Sequence, residues 1–303
     1  MKRRVLVLGL PYFGQMAAGI LRERGCDARF FPHPGRNAKG WARLLPQLVR
    51  AQVLYLISSR VDRWSPQALL AWLWPRRLVI HWVGTDVLFA LDAYRAGKAS
   101  RRLLRKAHHL ADAPWLPGEL AEMGIRAAYV PLPVPGLRLA APDPLPTVFR
   151  VLLYYPVDPI DREVFDFETM MRLVAGFPGV RFRLIPSPAE TLSVPIPPNL
   201  EASAWVADMD AVYRETTVYV RLTAHDGTSF MAVEALSRAR YVIWTHPLPG
   251  AIQARGYDDV SAALAALYER HRRGELALNA LGRASVLRDF ERERLEAQLQ
   301  SRV

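Results

Sequence analysis

The sequence predicts an α/β protein built as two parallel-sheet domains, and three observations lead there. Apolar runs of strand length recur along the chain and alternate with helical segments, the pattern of strand–helix–strand crossovers. A stretch from Pro131 to Pro146 carries six prolines and interrupts that alternation, as an interdomain linker would. The chain is 303 residues long, enough for two separate cores.

Taken in order, Val5 to Leu10 reads as the first strand. A turn carrying Gly9 and Gly14 follows, then a helix from Gln15 to Arg24 stopped by Gly25. Ala28 to Phe31 is the second strand, Trp41 to Ala51 a helix broken at Pro46, and Val53 to Ile57 the third strand. Leu78 to Val83 is the fourth strand, Ser100 to His109 a basic helical stretch, and Leu110 to Ala113 a short strand. A brief helix from Pro117 to Met123 and the strand Ala127 to Pro131 complete the first half. The second half restarts with the strand Arg150 to Tyr155, the helix Glu163 to Ala175 and the strand Val180 to Ile185. Leu200 to Trp205, the helix Met209 to Arg214 and the strand Val218 to Leu222 come next. Two C-terminal helices, Val260 to Arg273 and Leu276 to Leu299, end the chain. The expected domains are residues 1–140, a linker at 141–147, residues 148–280, and a final helical segment, 281–303, packing back toward the first domain.

Composition narrows the function. Hydrophobic residues at 51% and charged residues at 23% are those of a globular chain. The single cysteine, Cys26, excludes an intramolecular disulfide framework and a cysteine-based zinc site. The basic start Lys2-Arg3-Arg4 precedes an apolar run too short and too soon interrupted by Pro11 for a signal peptide. The expectation is a cytoplasmic protein. Residues 1–147 hold 22 Lys+Arg against 9 Asp+Glu, whereas the remainder hold 18 against 20. A basic first half beside a nearly neutral second half points to an anionic partner for the first. The helix around Arg101, Arg102, Arg105 and Lys106 suits an anionic membrane surface, equally a plain solvated face. No nucleic-acid-binding module accompanies it, so nucleic acid is not expected.

The richest stretch runs from Tyr219 to His246. A strand breaks at the loop Thr223 to Gly227, a helix opens at Ser229, and a second strand, Tyr241 to Thr245, closes the unit. Gly227 permits close backbone approach, Thr228 and Ser229 are N-cap types, and Phe230 begins the helix. Asp226 and Glu234 flank seven residues. Backbone N–H groups, the positive end of a helix dipole and a carboxylate are thus gathered where a phosphorylated, hydroxyl-rich ligand would be held.

This D-x7-E stretch resembles the E-x7-E donor motif of retaining glycosyltransferases of the GT-B fold, glycosyltransferase family 4 (group 1). The resemblance implies two Rossmann-like α/β domains facing each other across a cleft. It also implies transfer of a sugar from a nucleoside diphosphate sugar to a hydroxyl acceptor, with retention and without metal or other cofactor. Asp226 would hold donor-sugar hydroxyls and Glu234 the ribose hydroxyls, although Asp226 is one methylene shorter than the usual glutamate. Gly14, after the first strand, would let phosphate or acceptor approach. His81 and Asp86 bracket Gly84 at a strand end, as in several GT-B enzymes; His81 would contact sugar or acceptor and Asp86 an acceptor hydroxyl, or else cap the next helix. The family's Arg and Lys after the first strand of the second domain are missing here. Arg162 and Arg221 are the candidate replacements, and Trp205 a candidate to position the base. The D-x-D of Asp208 and Asp210 begins a helix, where acids serve the dipole. Two rivals stay open: a binding protein without turnover, and a sugar-nucleotide epimerase of the same fold.

Overall fold

The computed structural model describes residues 2–32 and 37–303 and divides into two compact units. Unit 1 runs to Pro133 and adds two later segments, His225–Thr228 and Glu291–Val303; unit 2 holds Val134–Ala224 and Ser229–Phe290.

Unit 1 is assembled from β1 (Arg4–Gly9), α1 (Pro11–Glu23), β2 (Asp27–Pro32), α2 (Ala38–Arg50), β3 (Val53–Ile57), α3 (Pro66–Leu73), β4 (Arg77–Trp82), α4 (Thr85–Arg95), α5 (Arg101–Lys106), β5 (His108–Ala111), α6 (Leu116–Ala121) and β6 (Ala127–Tyr129). Its six strands are all parallel, in the order β2-β1-β3-β4-β5-β6. Strands covered on both faces read as continuous apolar runs, and β3, VLYLI, is buried at every position. Leu54, Leu56, Leu78 and Ile80 face one side with Leu44, Leu48 and Leu103 of α2 and α5. Right-handed crossovers place α2, α3 and α5 on that one face, and α1 on the other.

The chain crosses from β1 into α1 by a turn that only glycine fits. Gly9 has φ +130°, and a Cβ there would stand 1.8 Å from the Ile57 carbonyl oxygen. The expected break of α2 at Pro46 does not occur: the helix runs through it. Leu44 and Leu48 are anchored in the core on either side, which offsets the hydrogen bond that proline cannot donate.

Unit 2 comprises β7 (Arg150–Tyr154), α7 (Pro159–Arg162), α8 (Phe167–Gly176), β8 (Arg181–Ile185), β9 (Leu200–Ala202), α9 (Met209–Glu215), β10 (Val218–Arg221), α10 (Phe230–Ser237), β11 (Tyr241–Trp244), β12 (Ile252–Gln253), α11 (Gly256–Arg272) and α12 (Ala280–Asp289). Its six parallel strands lie in the order β12-β11-β10-β7-β8-β9. This is the doubly wound order, and its direction reverses between β7 and β10.

The proline-rich stretch is not a loose tether beyond Pro133. Arg138 N–H donates to Ser237 Oγ at 3.1 Å, and Arg238 donates to the Gly136 carbonyl at 2.9 Å. The single long C-terminal helix expected over 276–299 is two. α12 ends at Asp289 with Phe290 as its C-cap, and Glu291 caps a new helix, α13 (Arg292–Ser301), by accepting from Glu293 and Arg294 N–H. α13 belongs to unit 1, where Leu295 and Leu299 are buried, Arg24 pairs with Glu296 at 3.3 Å, and Arg292 with Glu23 at 3.2 Å. Among the described residues no helix is long and apolar enough to cross a membrane.

Replacing Gly9 by alanine forces both the strained φ and the Ile57 clash, so urea unfolding should show a loss of about 3 kcal/mol or more. An unchanged midpoint would contradict this reading of the turn.

Candidate functional site

In unit 2 the reversal of strand order puts the carboxyl ends of β7 and β10 side by side, the place where open α/β sheets take ligands. β7 ends at Tyr154 and β10 at Arg221. The Arg221 guanidinium lies over the Tyr154 ring at 5.4 Å and the Phe165 ring at 5.1 Å, and donates to Tyr219 Oη at 3.4 Å. An arginine at the end of an apolar strand is thus held against aromatic faces. It remains half-buried, at the strand-end edge. Arg162, the other candidate cation, is engaged by its own unit. It donates to the Pro156 carbonyl at 2.7 Å and the Thr191 carbonyl at 3.2 Å, and stacks on Tyr155 at 4.8 Å. Its geometry is that of a loop clamp. Trp205, after β9, is 81% exposed rather than part of the core.

Ser229 is the N-cap of α10, its hydroxyl accepting from Ala232 N–H at 3.3 Å, and Phe230 is the first helical residue. Glu234, one turn on, accepts from Tyr213 Oη–H at 2.9 Å and from the Gly136 N–H. Burial raises its pKa, and the Tyr213 hydrogen bond and Arg238 oppose that rise. Two bonds leave a carboxylate about two further acceptor positions. Beneath it Arg238 pairs with Asp210, its Nε 2.9 Å from Oδ1, while Asp208 caps α9 through Ala211 N–H at 3.0 Å. Both acids of the D-x-D thus serve the fold.

Asp226 falls in unit 1, because His225–Thr228 packs on the strand ends there. Two glycines make that packing possible. A Cβ on Gly84 (φ +127°) would stand 2.4 Å from Gly227 N, and one on Gly227 would stand 2.2 Å from the Val83 carbonyl oxygen. Gly227 was expected to admit a ligand; it admits protein backbone. Thr228 is not a cap: its hydroxyl donates to the Asp112 carbonyl at 2.6 Å and its N–H to Asp112 Oδ2 at 3.3 Å. His225 meets Glu119 at 2.6 Å, and the Trp115 indole N–H donates to the Asp226 carbonyl at 2.8 Å. The loop is therefore fixed at all four residues.

His81 lies within β4 and is fully buried, its Nδ1 2.5 Å from Tyr55 Oη. Desolvation lowers its pKa to about 3, so it is a neutral core imidazole and not a surface contact. Asp86 closes the turn after β4, accepting from Val83 N–H at 3.0 Å and Val87 N–H at 3.1 Å. Asp86 is the second residue of α4, whose N-cap is Gly84 without a side-chain cap bond, so its carboxyl pins the turn rather than capping the helix. Gly14 lies inside α1, not in the preceding turn. A Cβ there would stand 2.4 Å from the Phe30 ring, so its smallness serves helix–strand packing.

Sequence reasoning missed the group beside Asp86. Asp112, directly after β5, is 1% exposed, and its Oδ1 has no hydrogen-bond partner. Burial, then the nearby Asp86 charge, push its carboxyl well above the usual range; burial alone takes Asp86 to about 7, against its backbone donors. Only a short A-D-A-P run marks Asp112 in the sequence, and nothing there shows that Asp86 and Thr228 converge on it.

No family model and no curated protein matches this sequence. Solved structures do. Anabaena HepE, crystallised with UDP and glucose, matches with TM-score 0.69 at 11% identity, over 99% of this chain and 98% of that one. Sucrose-phosphate synthase of Thermosynechococcus elongatus gives 0.70 at 12%, over 99% and 98%. A Rickettsia africae glycosyltransferase gives 0.70 at 9%, over 98% and 96%. The fold is GT-B. In GT-B terms, unit 1 is the N-terminal and unit 2 the C-terminal α/β domain, each with a six-stranded parallel sheet. At such identities the likeness is one of architecture.

The buried acids give a pH test. An unfolded aspartate ionises near 3.8, whereas Asp86 holds its proton to about 7 in the fold. The folded state therefore binds more protons between those values, and stability falls as pH rises through them. Asp86→Asn keeps the acceptor and removes that ionisation. His81 and His109, which act in the opposite sense, are common to both proteins and cancel in the comparison. The variant should gain on the parent by up to about 1.4 kcal/mol per pH unit across the window. A melting-temperature difference independent of pH would contradict this.

Proposed function

We propose that the chain is a glycosyltransferase that moves a sugar from a nucleoside diphosphate sugar to a hydroxyl acceptor, with retention and without a metal ion. The observation that carries the reading is the cation at the reversal point of the unit 2 sheet, Arg221 over Tyr154 and Phe165. A diphosphate there meets a fixed guanidinium and the positive end of α10. Preorganised charge of this kind stabilises the leaving group as the glycosidic bond breaks. Glu234 takes the ribose hydroxyls with the acceptor capacity that Tyr213 and Gly136 leave over. Trp205 offers an exposed face for the base. In unit 1, Trp115, Glu119 and Asp112 hold the loop that carries Asp226. Asp86, Asp112 and His81 position that loop and the β4 turn rather than touch the substrate.

No side chain in this reading acts as nucleophile. The acceptor oxygen attacks the anomeric carbon from the leaving group's side, the bond from that carbon to the diphosphate oxygen breaks, and the acceptor proton passes to the leaving phosphate. The products are the glycosylated acceptor with the donor's anomeric configuration and a nucleoside diphosphate.

Arg162 favours one alternative. The cation expected after the first strand of the second domain is engaged by backbone carbonyls, as in a protein that binds the donor without turnover. A panel of nucleotide-sugars separates the two, first by thermal shift and then by product analysis. A donor at a hundred times its Kd should stabilise the fold by about 2.7 kcal/mol. Arg221→Gln should weaken that donor about tenfold to a hundredfold, the loss of a charge-assisted contact. Stabilisation with neither transfer nor hydrolysis would establish the binder. Unchanged donor affinity in Arg221→Gln would remove the site assignment.

A further inference from the structure

The +13 surplus of the first half has an address in unit 1, and it coincides with exposed apolar side chains. α2, α3 and α5 share one face of the sheet. Their ends are tied together: Arg76 donates to the Val49 carbonyl at 3.0 Å, and the Lys106 ammonium to the Trp74 carbonyl. On the outward side of α2, Leu45 and Val49 are 57% and 71% exposed; on α3, Leu69 and Leu73 are 52% and 70% exposed. Each pair is spaced i, i+4, so each forms a ridge along its helix. Around them stand exposed Arg43, Arg50, Arg76, Arg101 and Arg105. Asn37 to Arg77 contains seven Lys or Arg and a single acid, Asp62, while α2, α3 and α5 contain no acid at all.

We propose that this face docks on an anionic lipid bilayer. Two ridges of exposed leucine and valine suit the boundary between headgroups and acyl chains. The arginines around them meet lipid phosphates, a bidentate match for guanidinium. Nucleic acid would use the arginines and gain nothing from the leucines. A second copy would bring arginine against arginine, which repels. The inference stands apart from the transfer reaction, since it concerns the helical face and not the strand-end edge.

The test sediments the full chain with vesicles of phosphatidylcholine alone and of phosphatidylcholine mixed with phosphatidylglycerol, at low and raised salt. Binding is expected to the mixed vesicles only, and to weaken as salt rises. The double variant Val49→Glu, Leu73→Glu should bind the mixed vesicles at least about tenfold more weakly while keeping the parent melting temperature, because both side chains are exposed. Arg101→Gln with Arg105→Gln should reduce the dependence on phosphatidylglycerol. Equal binding to both vesicle types, no binding, or a double variant that binds like the parent overturns the proposal. So does a parent that is dimeric and fails to bind vesicles while the variant is monomeric, which would make the face a self-association surface.

Discussion

An all-parallel sheet can be closed only by crossovers that return the chain to the same edge, and that constraint governs both units. Every strand then ends on one side, so loops carrying polar groups collect there while the helices cover the apolar faces. In unit 2 the order turns back between β7 and β10. Tyr154 and Arg221 are neighbours for that reason, although 67 positions apart in sequence. A charged residue amid Val218, Tyr219 and Val220 is tolerated because it sits last in its strand, where Tyr154 and Phe165 offer their faces.

Unit 1 uses the same edge differently. It places Asp86 and Asp112 side by side under His225–Thr228, where burial keeps their protons on at pH values that ionise ordinary aspartates. A neutral carboxyl is cheaper to bury than a charged one. The loop is seated by glycine backbones in contact and by hydrogen bonds to Asp112, Glu119 and Trp115. That seating fixes where Asp226 can reach, and it explains why both Gly84 and Gly227 stand where they do.

Much of the architecture was legible in the sequence. The apolar run Val53–Ile57 and the strand pairs flanking α10 announce themselves, because a strand buried on both faces needs little beyond β-branched and aliphatic residues. Helix ends were less legible. Pro46 looks like a break and is carried through by Leu44 and Leu48; the stop at Phe290 comes without glycine or proline and depends on Glu291 capping the next helix. The site was readable as types but not as partners. Gly14, Gly227, Thr228 and Arg162 are residue types that bind phosphates and sugars, and tertiary contacts with Phe30, Val83, Asp112 and Pro156 engage each of them instead. Asp112 and Tyr213 carry little local signal, since their roles come from burial and from distant neighbours.

The account rests on donor binding at the strand ends of unit 2. Backbone hydrogen exchange, compared with and without the nucleotide-sugar that stabilises the chain, tests this most directly. Slowed exchange should concentrate after β7, at Tyr155 to Asp158, after β10, at Leu222 and Thr223, and in the first turn of α10. Protection confined to the start of α1 in unit 1, with those three segments unchanged, would contradict it.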